Sequence, residues 1–222
     1  MPSPLERAVE VMDRLRSPGG CPWDAAQTHE SLTRYLLEET YEVLEAIETG
    51  DRALLREELG DLLLQVLFHA RLAEELPPGD AFGIDEVAAD LVDKLVRRHP
   101  HVFAGEEAGT ADELNETWER RKAEEKGRRS AVDGVPLAQP ALALTAKLVA
   151  RAERAGLAVE LPAADAYGAR LFALVQEAVA AGVDPEAALR RTARAYRERL
   201  HALEGRAPGA AAEAGEKKGP SQ

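Results

Sequence analysis

Two helix-forming runs, roughly Leu32 to Glu48 and Arg52 to Glu75, are separated only by Thr49-Gly50-Asp51, and this spacing constrains the fold more than any other feature of the chain. So short a connection forces two long helices into an antiparallel hairpin. The second run sets Leu55, Leu59, Leu62, Val66, Ala70 and Ala73, reinforced by Leu63 and Leu67, in a stripe at helical spacing. Such a stripe predicts a face turned toward a core.

The flanking sequence extends the same pattern. A helix is predicted from Leu5 to about Leu15, ended by Ser17-Pro18-Gly19-Gly20, with a loop continuing through Cys21-Pro22-Trp23. Asp24 with Gln27 can form a capping box for the next helix, and Thr28 or Ser31 can equally cap it. After Leu76-Pro77-Pro78-Gly79-Asp80 a third helix is expected from Asp85 to Arg98, stopped by Pro100. A fourth follows from Ala111 to Lys126, with Leu114 and Trp118 one turn apart. These elements predict an all-α, antiparallel helical bundle over residues 1–127. Residues 128–140, with Gly134, Pro136 and Pro140, read as a linker to a second helical half over 141–205. Its helices are expected at Ala141 to Ala155, Ala163 to Ala181 and Pro185 to Leu203, the last capped by Asp184. Residues 206–222 are too poor in large apolar groups to fold and read as a disordered tail.

Composition narrows the function. Only 5% of residues are aromatic against 45% hydrophobic overall, the usage of a Leu/Ala core and not of an all-β protein. A formal net charge of -12 argues against binding to nucleic acid or to an anionic membrane. An anionic substrate would therefore call for a cation to mediate. The single cysteine, Cys21, excludes an intramolecular disulfide. No apolar run approaches the ~20 residues needed to span a bilayer, and the first residues lack the apolar stretch of a secretory signal. A cytoplasmic location is the expectation.

The chemistry is concentrated on the hairpin. Glu38-Glu39-Thr40-Tyr41-Glu42 lies on its first helix and Glu57-Glu58-Leu59-Gly60-Asp61 on its second. Residues three apart share a helix face, so Glu39 with Glu42, and Glu58 with Asp61, each form a two-carboxylate pincer that the hairpin can bring together. Two like charges 4 Å apart repel by about 4 kcal/mol at an effective dielectric near 20, so four converging carboxylates call for a hard divalent cation. Oxygen-only donors favour Mg²⁺ or Mn²⁺ over zinc. The competing reading is a set of solvated acids on a charged helix. Against it stands Asp61 within Leu59-Gly60-Asp61-Leu62-Leu63-Leu64, where an unpaired carboxylate is costly.

In order along the chain, Cys21-Pro22-Trp23-Asp24, Gln27-Thr28, Leu37-Glu38-Glu39-Thr40-Tyr41-Glu42, Glu58-Leu59-Gly60-Asp61-Leu62-Leu63 and Arg97-Arg98-His99-Pro100-His101-Val102-Phe103 resemble the MazG family of nucleoside triphosphate pyrophosphohydrolases. The resemblance covers about residues 5 to 126. It implies hydrolysis of (d)NTPs, non-standard ones among them, to the monophosphate and pyrophosphate, with Mg²⁺ (Mn²⁺ as a substitute) held by Glu39, Glu42, Glu58 and Asp61. Glu38 and Glu57 would stand near the metal, and Glu38 is the candidate to orient or deprotonate the attacking water. Lys94 and Arg98, four apart, would bind phosphate oxygens, although cations at a helix C-terminus also favour the macrodipole without any substrate. Trp118 would stack on the base or, equally, anchor a core. His99 and His101 are assigned no metal, and Cys21 and Trp23 are read as packing residues.

The resemblance also implies a homodimer, consistent with the Leu surface that so few helices leave uncovered. Two rival classes are a ferritin-like di-iron bundle, for which only Glu198-Arg199-Leu200-His201 fits the required motif, and a non-enzymatic helical interaction module. The second half reads as a degenerate copy of the first. Tyr167-Gly168-Ala169-Arg170-Leu171-Phe172 laid on Leu59-Gly60-Asp61-Leu62-Leu63-Leu64 sets Ala166 opposite Glu58 and Ala169 opposite Asp61.

Overall fold

A computed structural model describes residues 1–160 and 166–205, and every regular element among them is a helix. The predicted tail at 206–222, and residues 161–165 at the predicted start of the Ala163 helix, lie outside the described residues. The chain divides into two compact units, Met1–Asn115 and a second beginning at Glu116.

In the first unit α1 spans Pro4–Arg16, α2 Pro22–Ala25, α3 His29–Thr49, α4 Arg52–Ala73, α5 Ile84–Arg98 and α6 Pro100–Phe103. The hairpin of α3 and α4 is its backbone. Gly50 ends α3 at φ 73°, in the left-handed region that glycine enters without steric cost, and Asp51 caps α4 by accepting from the Ala53 and Leu54 amides. Thr28 caps α3, its hydroxyl accepting from the Ser31 amide while Ser31 accepts from the Thr28 amide. Of the three candidate caps the structure thus selects Thr28. Cys21 to Trp23 is not all loop, because Pro22 opens the single turn of α2. Pro100 plays the same role one residue beyond α5, so it both ends that helix and starts α6.

Met12, Leu32, Leu67, Phe68 and Leu72 form the buried core, with Ala8, Val9, Leu15, Tyr35 and Ile84 packed around it. The core sits where the start of α3 meets the end of α4, and α1 covers it. Each large side chain buried there contributes about 1.5–3 kcal/mol relative to exposure. The predicted α4 stripe is only partly internal. Leu67, Ala70 and Ala73 are buried, but Leu59, Leu63 and Val66 remain 50%, 38% and 41% exposed, and buried positions go instead to Glu58 and Gln65. Periodicity identifies an apolar stripe without saying which neighbour it meets, and the side of α4 turned to α3 is polar at Glu58 and Asp61 and apolar further along, at Phe68 and Leu72.

The second unit holds the end of α7 (Ala111–Glu125), α8 (Ala141–Arg154), α9 (Ala166–Ala180) and α10 (Pro185–Leu203). α8 packs on α9, and α10 on both, around Val149 and Val175. Asp184 caps α10 by accepting from the Glu186 and Ala187 amides, as its position before Pro185 predicts. Arg151, buried on α8, donates to the Ala131 and Asp133 carbonyls and so ties down the segment between α7 and α8.

Candidate active site

The antiparallel hairpin brings the two pincers together. Glu39 on α3 and Glu58 and Asp61 on α4 each place a carboxylate oxygen within 4.8 Å of the others. Glu42 lies one turn along from Glu39 and its charge bears on both Glu39 and Glu58, but its carboxylate falls outside that closest group of three. Glu38 and Glu57 are exposed on the same two helices, and the charge of Glu57 bears on Glu58. Lys94 is half-buried and Arg98 buried, a turn apart on α5. Trp118 belongs to the second unit.

Electrostatics agrees with geometry. Burial, followed by the charges of Asp61, Glu42 and Glu58, pushes the Glu39 carboxyl up from its ordinary value of 4.5 to about 7. Glu58, only 8% exposed, is raised by burial and then by Glu42 and Asp61. Carboxyls that resist ionisation because they crowd one another are the donor set a divalent cation relieves, and the all-oxygen ligands fit a hard ion. Among the described residues no second group of three metal-binding side chains occurs. His99 and His101 touch edge to face, and the His99 ring bonds to the Leu95 carbonyl at the end of α5.

A pH test follows from Glu39. Its folded value exceeds its unfolded one, so between pH 4.5 and about 7 the folded state binds more protons. Stability of the metal-free protein therefore falls from this group as pH rises through that window. Glu39→Gln is expected to melt above the parent by a margin that widens from pH 4.5 to 7 and then levels. A margin independent of pH would refute the coupling.

Three features around the site escape a sequence reading. His29 and His69 stack with ring centroids 5.0 Å apart and an Nδ1 to Nδ1 distance of 2.8 Å, so at least one ring must be neutral to accept the other's proton. Burial, then the charge of His29, lowers His69. Gln65 is buried one turn beyond Asp61, its side-chain oxygen without a donor among the described residues. Arg16 is the third. It forks onto Glu75 and reaches the Asp24 and Gln27 carbonyls, pinning the segment that holds Trp23, whose ring meets Tyr35 and Phe68 edge-on. Neither the histidines, 40 positions apart, nor Arg16 and Glu75, 59 apart, carry a local signal.

Comparison with known proteins bears on the same hairpin. The family model for the MazG nucleotide pyrophosphohydrolase domain matches residues 27–103, which include all four acids. The chain is 54% identical to an uncharacterized 26.1 kDa protein of Streptomyces cacaoi, over 89% of this chain and 81% of the relative. It is 38% identical to the nucleoside triphosphate pyrophosphohydrolase/pyrophosphatase MazG of Thermotoga maritima, over 90% of this chain and 85% of that protein. A nucleoside triphosphate pyrophosphohydrolase of Mycolicibacterium smegmatis is 47% identical over 91% of this chain, which spans only 61% of that longer relative.

Proposed function

The chain belongs to the MazG nucleotide pyrophosphohydrolase family, and we propose that it hydrolyses nucleoside triphosphates to the monophosphate and pyrophosphate with Mg²⁺, for which Mn²⁺ can substitute. The observation that carries the reading is the meeting of Glu39, Glu58 and Asp61 across the hairpin. With Glu42 they would hold the cation, which supplies charge neutralisation for the triphosphate and polarises its phosphoryl oxygens. Glu38, exposed beside Glu39, is the residue we assign to the attacking water, taking its proton as oxygen bonds to the α-phosphorus and pyrophosphate departs. Glu57 adds negative charge next to Glu58 and supports the cation from outside. Lys94 and Arg98 bind phosphate oxygens.

We assign this activity to the cytoplasm; among the described residues no helix is long and apolar enough to cross a membrane. A panel of (d)NTPs, with and without Mg²⁺ or Mn²⁺, read by pyrophosphate detection, tests the reading. Metal-dependent pyrophosphate with the matching monophosphate is expected. No release from any member, with either metal, would leave the helical interaction module as the better account.

The exposed Leu59, Leu63 and Val66 of α4, with the exposed Leu91, Val92 and Val96 of α5, support a homodimer. Stable pairs bury about 1,200–2,000 Å² in total, which an apolar helix face of this kind can supply. Sedimentation equilibrium at micromolar concentration is expected to give twice the chain mass, and Leu59→Glu with Leu63→Glu to give monomer. A compact monomer of the unaltered chain would sink the proposal. The second unit, with Ala166 and Ala169 where α4 carries Glu58 and Asp61, we read as a degenerate repeat serving packing or assembly.

A further inference from the structure

The second unit contains a cavity of about 630 Å³ whose lining is strongly cationic in a chain of net charge -12. Five arginines line it, Arg120 on α7, Arg128 and Arg129 in the turn that follows, and Arg151 and Arg154 on α8, against Glu116 and Glu119 of opposite sign in the same lining. A volume of that size is in the range of small-ligand sites.

The five arginines differ in how far the protein satisfies them. Arg151 is 8% exposed and committed to the framework, donating to the Ala131 and Asp133 carbonyls and lying 4.0 Å from Glu119. Arg154 bonds through Nε to the Ala150 carbonyl of its own helix. The Arg128 Nε is shielded from solvent and has no acceptor among the described residues. The turn that carries it is fixed: the Asp133 carboxylate accepts from the Arg129 and Ser130 amides, and Gly134, at φ 69°, leaves room for the Arg128 guanidinium 3.2 Å from where a Cβ would stand. The Arg128 donor is thus held in place by a turn that does not itself consume it. Converging like charges with donors to spare are stabilised by a multivalent anion, and guanidinium forks match phosphate oxygens two at a time.

We propose that this cavity binds an oligophosphate anion, with Arg120, Arg128, Arg129 and Arg154 as its donors and Arg151 as the residue that holds the turn. A long nucleic acid backbone is the less suitable occupant, because the net charge of the chain opposes it outside the cavity. The proposal does not depend on nucleotide hydrolysis at the hairpin, since the lining comes wholly from residues 116–155 and requires no metal.

Isothermal titration of the full chain with sodium pyrophosphate, in buffer freed of divalent metal by chelating resin, tests it directly. One saturable site per chain is expected, weakened about tenfold by Arg120→Ala or by Arg129→Ala, each removing charge-assisted hydrogen bonds, and lost in the double variant. Both side chains are exposed, so the variants should keep the parent's helicity, and pyrophosphate should raise the melting temperature of the parent but not of the double variant. Glu39→Gln should bind as the parent does. Absence of saturable binding, equal affinity in the double variant, affinity no greater than for sulfate, or tighter binding of a single-stranded oligonucleotide would each overturn the assignment.

Discussion

Glu58→Gln and Asp61→Asn are each expected to reduce metal-dependent pyrophosphate release by on the order of 10²–10³, the usual loss when a group stabilising transition-state charge is removed, while leaving the metal-free protein at least as stable as the parent. The two halves of this result have one cause. Glu58 is buried, and its ionisation is opposed by burial and by Glu42 and Asp61. An amide of the same shape removes the charge that the neighbours repel and that a cation would bind. A substitution that merely damaged the fold would lower activity and melting temperature together. Here they are expected to move in opposite directions, and added Mg²⁺ should raise the parent's melting temperature but not that of Glu58→Gln. Full turnover by Glu58→Gln at millimolar Mg²⁺ would defeat the assignment of this residue as a ligand.

The hairpin and its acids are legible in the sequence because their information is local. Thr49-Gly50-Asp51 contains both the residue that ends one helix and the cap of the next, and the pincers repeat at helical spacing on each side of it. Asp184 before Pro185 is legible for the same reason. What is not local is misread or missed. The apolar positions of α4 form a stripe by periodicity, yet Leu59 and Val66 stay exposed while Glu58 and Gln65 are buried, because the face turned to α3 is chosen by the neighbour and not by the period. The crowding of Glu39, Glu58 and Asp61 could be anticipated from the hairpin, whereas the offset of Glu42 depends on side-chain placement that spacing does not fix. The histidine pair needs residues 29 and 69 on facing helices, and the arginine-lined cavity needs α7 and α8 brought together around a turn.

Arg16→Ala is expected to destabilise the protein by about 2–4 kcal/mol, more than an ordinary surface ion pair is worth, because one buried guanidinium serves a carboxylate and two carbonyls at once. The Arg16 side chain is 8% exposed. Its Nε and one terminal nitrogen donate to Glu75 at 2.7 and 2.9 Å, and the other terminal nitrogen donates to the carbonyls of Asp24 at 2.6 Å and Gln27 at 3.2 Å. Glu75 would not be stranded by the loss, since Arg71 also donates to it. The Gln27 carbonyl would be, while the Asp24 carbonyl keeps the Gln27 amide as a donor at 3.2 Å. Both carbonyls belong to the stretch from α2 to the Thr28 cap, and just before α2 the chain is drawn against α1 at Gly20, where a Cβ would come within 2.3 Å of the Arg14 and Leu15 carbonyl oxygens. Arg16 also holds the Glu75 carboxyl below its ordinary range. That part of the stability is present above the unfolded-state value and is lost as pH falls through the folded one, so the gap between the parent and the Ala variant should narrow on the acid side. Arg16→Lys keeps the charge but cannot serve a carboxylate and two carbonyls at once, and should recover less than half of the loss. Urea denaturation of the three proteins measures these differences. In a Trp118→Phe background, Trp23 fluorescence should report loosening of the segment in the Ala variant at urea concentrations below the main transition. An Arg16→Ala protein within about 0.5 kcal/mol of the parent, the scatter of ordinary surface changes, would mean that the core of Met12, Leu32 and Phe68 holds this end of the molecule without the arginine.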